Sequence, residues 1–263
     1  MPRRISIFAF GVLSYAIFFA VFLYAVGFVN NWLVPRSLDS DTAPSVAVAL
    51  AVNFGLLVAF GLQHSVMARP AFKRWWTQLV PSEAERSVYV LASSLAMIAL
   101  YAYWQPLPGV VFALESPVAR VVTHGLFALG AALVLYSTFL IDHFDLFGLR
   151  QSWLALVGKP YASRPFGTPS LYKYLRHPLY VGWFLFFCAT PLMTVGHLLL
   201  AIGTTAYMLV AIVFEERDLL VHFGADYRAW RERTPLFIPR LGSRTREARA
   251  RGIAARGSAD VAQ

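Results

Sequence analysis

The sequence predicts an all-α protein, a polytopic membrane helix bundle of about six transmembrane helices with both termini cytoplasmic. Three observations carry that expectation. The chain of 263 residues is 58% hydrophobic and only 14% charged, where a soluble domain carries about 25% charged residues. Its apolar residues come in long blocks, not in alternating patterns, and a block of roughly 18 residues crosses the hydrocarbon core as a helix that satisfies its own backbone. Finally, 21 of the 23 Lys and Arg residues fall on one side of the blocks and only Arg36 and Arg120 on the other. That asymmetry sets orientation and requires an even number of crossings.

The expected helices run near 5–29, 45–62, 87–104, 118–141, 178–194 and 197–215. The first follows Met1-Pro-Arg-Arg and is longer than a signal-peptide core, so it reads as a retained helix. The last two are joined by a few residues around Pro191 and Gly196 and form a tight antiparallel hairpin. Residues 1–141 read as a four-helix membrane region, 142–240 as a loop, hairpin and cytoplasmic tail helix, and 241–263 as a disordered basic tail. The net charge of +9 is accounted for by inside loops facing anionic lipid headgroups, with no nucleic-acid partner. The single cysteine, Cys188, excludes an internal disulfide and reads as packing.

Chemistry-bearing residues gather in three inside segments. Gln63-His64 closes the second helix, where a histidine either answers the helix dipole or serves as a general base. Asp142-His143-x-x-Asp145 lies just past the fourth helix, where acidic groups oppose the dipole and need partners such as Arg150. Its spacing matches no metal-ligand pattern. The third segment is Tyr172-x-Tyr174-x-Arg176-His177-Pro178-Leu179-Tyr180-x-Gly182. Pro178 suits a first helical position, so His177 stands at a helix entrance whose backbone donors favour a carboxylate. Gly182 permits close approach of a ligand or a neighbouring helix.

After the hairpin, Glu215-Glu216 lies at the inner end of an apolar helix, where ionisable residues signal function. Glu216, Leu219, Phe223, Tyr227 and Trp230 then recur on one helical face. An amphipathic surface helix is the plain alternative. A tight hairpin makes the 177–182 and 215–230 segments neighbours. Donors, a carboxylate and aromatic faces together suit a ligand with a carboxylate, a cationic sulfonium and a flat base, as in S-adenosylmethionine.

Arg176-His177-Pro178-x-Tyr180-x-Gly182, followed by Glu215-Glu216-x-x-Leu219 and Phe223-Gly224-x-x-Tyr227, resembles the membrane methyltransferases related to isoprenylcysteine carboxyl methyltransferase. Gln63-His64-Ser65-x-Met67-Ala68-Arg69 and Ile141-Asp142 with Leu146-Phe147-Gly148-Leu149-x-Gln151 resemble their nurim-like branch. The resemblance implies an S-adenosyl-L-methionine cofactor bound by Tyr172, His177, Pro178, Leu179, Tyr180 and Glu215, and the reading of the residues adds Gly182, Glu216 and Tyr227 as candidate contacts. It implies a reaction centre near Arg233; a thiol acceptor needs a base, for which His64 is the first candidate and His143 or Asp142 stand behind it. The implied reaction is in-line methylation of a small apolar thiol, methanethiol, to dimethyl sulfide in a bacterial inner membrane. The alternatives are a lipid or other thiol acceptor, or a non-catalytic nurim-like protein. One departure bears on the acceptor: Ala211 stands where the carboxyl methyltransferases have an arginine, which suits a neutral substrate. The oligomeric state is not legible.

Overall fold

A computed structural model describes residues 1–40 and 45–239. The basic tail expected from 241 onward lies outside the described residues. Nine helices are described: α1 (Pro2–Asn30), α2 (Val46–Ala68), α3 (Pro70–Trp76), α4 (Ser82–Tyr103), α5 (Pro117–Ile141), α6 (His143–Leu146), α7 (Leu149–Val157), α8 (Pro178–Cys188) and α9 (Val195–Arg233). Two short strands, β1 (Val110–Ala113) and β2 (Leu192–Thr194), pair antiparallel. Five helices, α1, α2, α4, α5 and α9, are long and apolar enough to cross a membrane. The protein is an integral, multi-pass membrane protein.

Local signals explain the ends. The Ser45 hydroxyl accepts from the Val48 amide at the start of α2, and Ser116 and Pro117 start α5. Thr194 accepts from the His197 amide at 3.0 Å while donating to Asp39 at 2.7 Å, which opens α9. Arg69-Pro70 ends α2 and starts α3, because the residue before a proline is driven out of the helical region. So α2 runs six residues beyond the expected 45–62, and His64 lies inside it.

The fifth expected helix, 178–194, is corrected: α8 has 11 residues and stops at Cys188. Its rise is about 16 Å, half the hydrocarbon core. Pro191 forbids the helix from continuing, and the chain runs on in extended form as β2, which pairs with β1 before α9 begins. The sixth expected helix and the tail helix form one element, α9, broken at Gly224 (φ 56°, ψ −123°). Only glycine holds that backbone conformation without strain.

The packing places both described ends together. Phe8 of α1 packs on Trp153 of α7 at 5.6 Å between ring centroids, and Trp230 of α9 donates to the Tyr172 carbonyl at 3.0 Å. At the opposite end Asn31 pairs with Asp39 and Asn53 with Gln105. The core is aromatic, with Phe28, Tyr101, Trp104, Phe127 and Phe186 buried. Helices α5 and α8 meet backbone to backbone. A methyl on Gly182 would stand 2.8 Å from the Val134 nitrogen, and one on Gly130 2.7 Å from the Phe186 nitrogen. Gly182 therefore serves the approach of a neighbouring helix.

Candidate active site at the inner membrane face

The entrance of α8 and the inner part of α9 are tied by three polar contacts. The Tyr180 hydroxyl donates to Glu215 Oε2 at 2.8 Å. Arg176 pairs closely with Glu216 Oε1, and His177 Nε2 lies 3.2 Å from the same oxygen. Arg231 reaches Glu216 Oε2 at 3.1 Å. Glu216 is 7% exposed. A buried carboxylate needs such company, since desolvation is costly without it. The two adjacent glutamates thus differ: Glu216 is enclosed by cations, whereas Glu215 is half-buried and holds one hydroxyl.

Two of the backbone donors expected to be open at His177 are engaged. The Arg176 amide donates to the Pro235 carbonyl and the His177 amide to the Leu236 carbonyl. The helix-start donors that remain belong to Leu179 and Tyr180, which precede the first intrahelical bonds. Tyr172 lies beside Glu215, and burial followed by that negative charge holds its phenol above the ordinary tyrosine range. Tyr227 is 1% exposed, and its hydroxyl has no hydrogen-bond partner among the described residues. Phe166, from the 158–169 segment, packs against Phe223, Tyr227 and Trp230. Arg233 is exposed at the last residue of α9.

Above this cluster, on the membrane side, lies a chamber of about 330 Å³. His64, His143 and Tyr180 all line it. His64 is held by Tyr89 (hydroxyl to Nε2, 2.8 Å) and by Ser93 (Oγ to Nδ1, 3.1 Å). His143 lies between the Tyr15 hydroxyl, 2.8 Å from Nε2, and Thr138 Oγ1, 2.8 Å from Nδ1. The Thr138 hydroxyl is also placed to donate to the Leu135 carbonyl at 2.6 Å. In that arrangement Nδ1–H donates to Thr138 and Nε2 accepts from Tyr15. Burial lowers the His143 pKa, with the Asp142 charge opposing.

Asp142 is separated from that chamber. It lines a second pocket, of about 390 Å³, together with Lys73, Glu85, Asp145 and Tyr161. Arg164 pairs with Asp142 at 2.6 Å, and Arg150 pairs with Asp145 at 3.2 Å. Arg86 and Leu146 line both spaces. Arg86 Nε donates to the Leu146 carbonyl at 2.6 Å, and its guanidinium stands 4.9 Å from the Tyr89 ring centre.

Sequence reasoning missed Arg86, Tyr89, Ser93 and Arg231. The first three recur at helical spacing on one face of α4, opposite Gln63-His64, and that periodicity was the available signal. Arg231 lies two residues from Arg233, and helical periodicity turns the two to different faces, so that Arg231 reaches Glu216.

Fold and site define a class, the multi-pass helical membrane proteins with polar groups gathered at one end of the bundle. No family model matches the chain, and no solved structure does. Curated relatives do. The chain is 48% identical to "Methanethiol S-methyltransferase" of Crocosphaera subtropica, over 92% of this chain and 95% of the relative. It is 49% identical to the protein of that name from Mycobacterium tuberculosis, over 91% and 98% respectively. Nurim of Sus scrofa is more distant, 33% identical over 66% of this chain. This chain belongs to the methanethiol S-methyltransferase family.

Proposed function

We propose that the protein methylates methanethiol to dimethyl sulfide with S-adenosylmethionine, at the cytoplasmic face of a bacterial inner membrane. One observation carries the reading. Tyr180 holds Glu215 on one side and lines the chamber that contains His64 on the other. It therefore joins a polar, aromatic crib to an apolar space. The crib's residues fit the donor. Leu179 and Tyr180 offer helix-start amides for its carboxylate, Glu215 suits its ammonium, and the buried Tyr227 hydroxyl lacks a partner among the described residues. When bound, S-adenosylmethionine supplies a methyl group on a positively charged sulfur.

The chain's residues then have separable tasks. Tyr172, Tyr180, Glu215 and Tyr227 bind and orient the donor, and Phe166 with Trp230 covers an aromatic face. Pro178 and Leu179 set the start of α8. Arg176, His177 and Glu216 hold that entrance against α9. A thiol is mostly protonated near neutral pH, and its thiolate is the nucleophile. His64 takes the thiol proton, and Tyr89 and Ser93 fix the plane of its ring. Arg86 is the nearby cation that favours the thiolate. His143 is a second imidazole in the chamber wall, while Asp142 and Arg233 act at the cytoplasmic surface. An apolar acceptor enters from the bilayer, and a dry chamber orients it, worth several kcal/mol of the barrier.

The test supplies membranes containing the protein with S-adenosylmethionine and methanethiol and follows dimethyl sulfide in the headspace. Product that requires both reagents supports the reading. Its absence from folded protein that binds S-adenosylhomocysteine would overturn the assignment of methanethiol as acceptor.

A further inference from the structure

The chamber is much larger than methanethiol. Water takes about 30 Å³ in the liquid. A thiol of two heavy atoms takes roughly 60 Å³ on that scale, a small part of a space of about 330 Å³. Its shape is also informative. Arg86, Tyr89, Val90, Ser94, Met97 and Tyr101 line it along one face of α4. At 1.5 Å per residue that face is about 22 Å long. A straight alkyl chain of eight carbons is shorter than that face. His64, Arg86, Tyr89 and Tyr180 lie at the inner end and Phe28 and Leu100 at the other, while the hydroxyls of Ser94, Tyr101 and Thr204 between them donate to the Val90, Val21 and Leu200 carbonyls. Arg86 is the one lining residue with a permanent charge among the described residues. Phe19 lines the chamber and is also 38% exposed on the lipid-facing side.

We infer that the protein has a further activity, the S-methylation of longer uncharged thiols, namely straight-chain alkanethiols of about four to eight carbons, whose tails lie along α4. The inference rests on the chamber being the acceptor site of the reaction proposed above. The thiol proton passes to His64 and then to water. The thiolate lone pair forms the new sulfur–methyl bond as the donor's methyl–sulfur bond breaks. That bonding pair stays on the donor sulfur and neutralises it. The products are an alkyl methyl sulfide, S-adenosylhomocysteine and a proton. Each methylene that enters the apolar wall adds roughly a fourfold gain in apparent affinity. Thiols carrying a charge are rejected, since nothing along the tail region pairs with one.

The experiment uses membranes containing the full chain, S-adenosylmethionine, and alkanethiols from methanethiol to octanethiol, with glutathione and cysteine as charged thiols. Methyl sulfide products are measured by mass spectrometry. The expected result is product from butanethiol to octanethiol, a KM that falls roughly fourfold per added methylene, and none from the charged thiols. Two chamber-narrowing variants, Met97→Trp on α4 and Thr204→Phe on α9, should each lower the hexanethiol-to-methanethiol ratio of kcat/KM at least tenfold. Binding of S-adenosylhomocysteine checks that they fold. Methanethiol turnover without hexanethiol turnover overturns the inference and leaves the proposed function standing. Equal turnover of glutathione, or an unchanged ratio in both folded variants, also overturns it. No product from any thiol overturns the proposed function as well.

Discussion

Tyr180 and Glu215 are 35 residues apart in sequence and joined by a 2.8 Å hydrogen bond at the inner face. Hydrogen bonds to a charged group contribute about 1.5–3 kcal/mol. Tyr180→Phe should therefore raise the dissociation constant for S-adenosylhomocysteine about tenfold or more, as measured by calorimetry in detergent. An unchanged constant would remove this pair from the donor site.

Glu216 behaves differently, because Arg176, His177 and Arg231 surround it. Removing one partner of a buried ion cluster leaves uncompensated charge and costs about 3–5 kcal/mol. Glu216→Ala should lower the thermal midpoint and the yield of folded protein, whereas Glu215→Ala should weaken donor binding with little change in midpoint. Reversed outcomes would exchange the roles of the two carboxylates.

His64→Ala should cut turnover by about 10²–10⁴-fold, the usual scale of general base catalysis. Affinity for the donor analogue should change little, because His64 faces the chamber. Wild-type turnover in this variant would eliminate His64 as the base.

Gly130→Ala and Gly182→Ala each place a methyl under 3 Å from backbone atoms of the facing helix. Forced overpacking costs about 1–3 kcal/mol. Both should lower the thermal midpoint, and the double variant should lose less than the sum, since the two sites share one contact. Strict additivity would argue against a common interface.

The lowered pKa of His143 has a sign that can be worked out. Below about pH 6.5 the unfolded imidazole takes a proton that the folded one refuses, as burial lowers the folded value. Its contribution is thus intact above that pH and fades as pH falls toward the folded value. Midpoints measured from pH 8 to pH 5 should drop more steeply for wild type than for His143→Gln. Parallel curves would show that His143 takes no part in acid sensitivity.

Much of this was legible in the sequence. The long helices followed from block length, and the meeting of the 177–182 and 215–230 segments followed from the short connection at Pro191 and Gly196. The length of α8 was not legible, because apolar residues continue through Leu192 and Met193 and hydropathy does not distinguish an extended segment from a helical one. Nor was the division of labour between Glu215 and Glu216. It depends on Arg231, whose reach is set by the break at Gly224. Asp142 and His143 are adjacent in sequence yet line different spaces, since the chain reverses at Asp142 with φ 125°.

The amides of Arg176 and His177 find their acceptors at Pro235 and Leu236. During synthesis every crossing can therefore be threaded before the entrance of α8 acquires its backbone partners. Insertion and closure of that entrance are separable: a nascent chain ending after the apolar part of α9 but before those two residues holds every crossing and lacks both contacts.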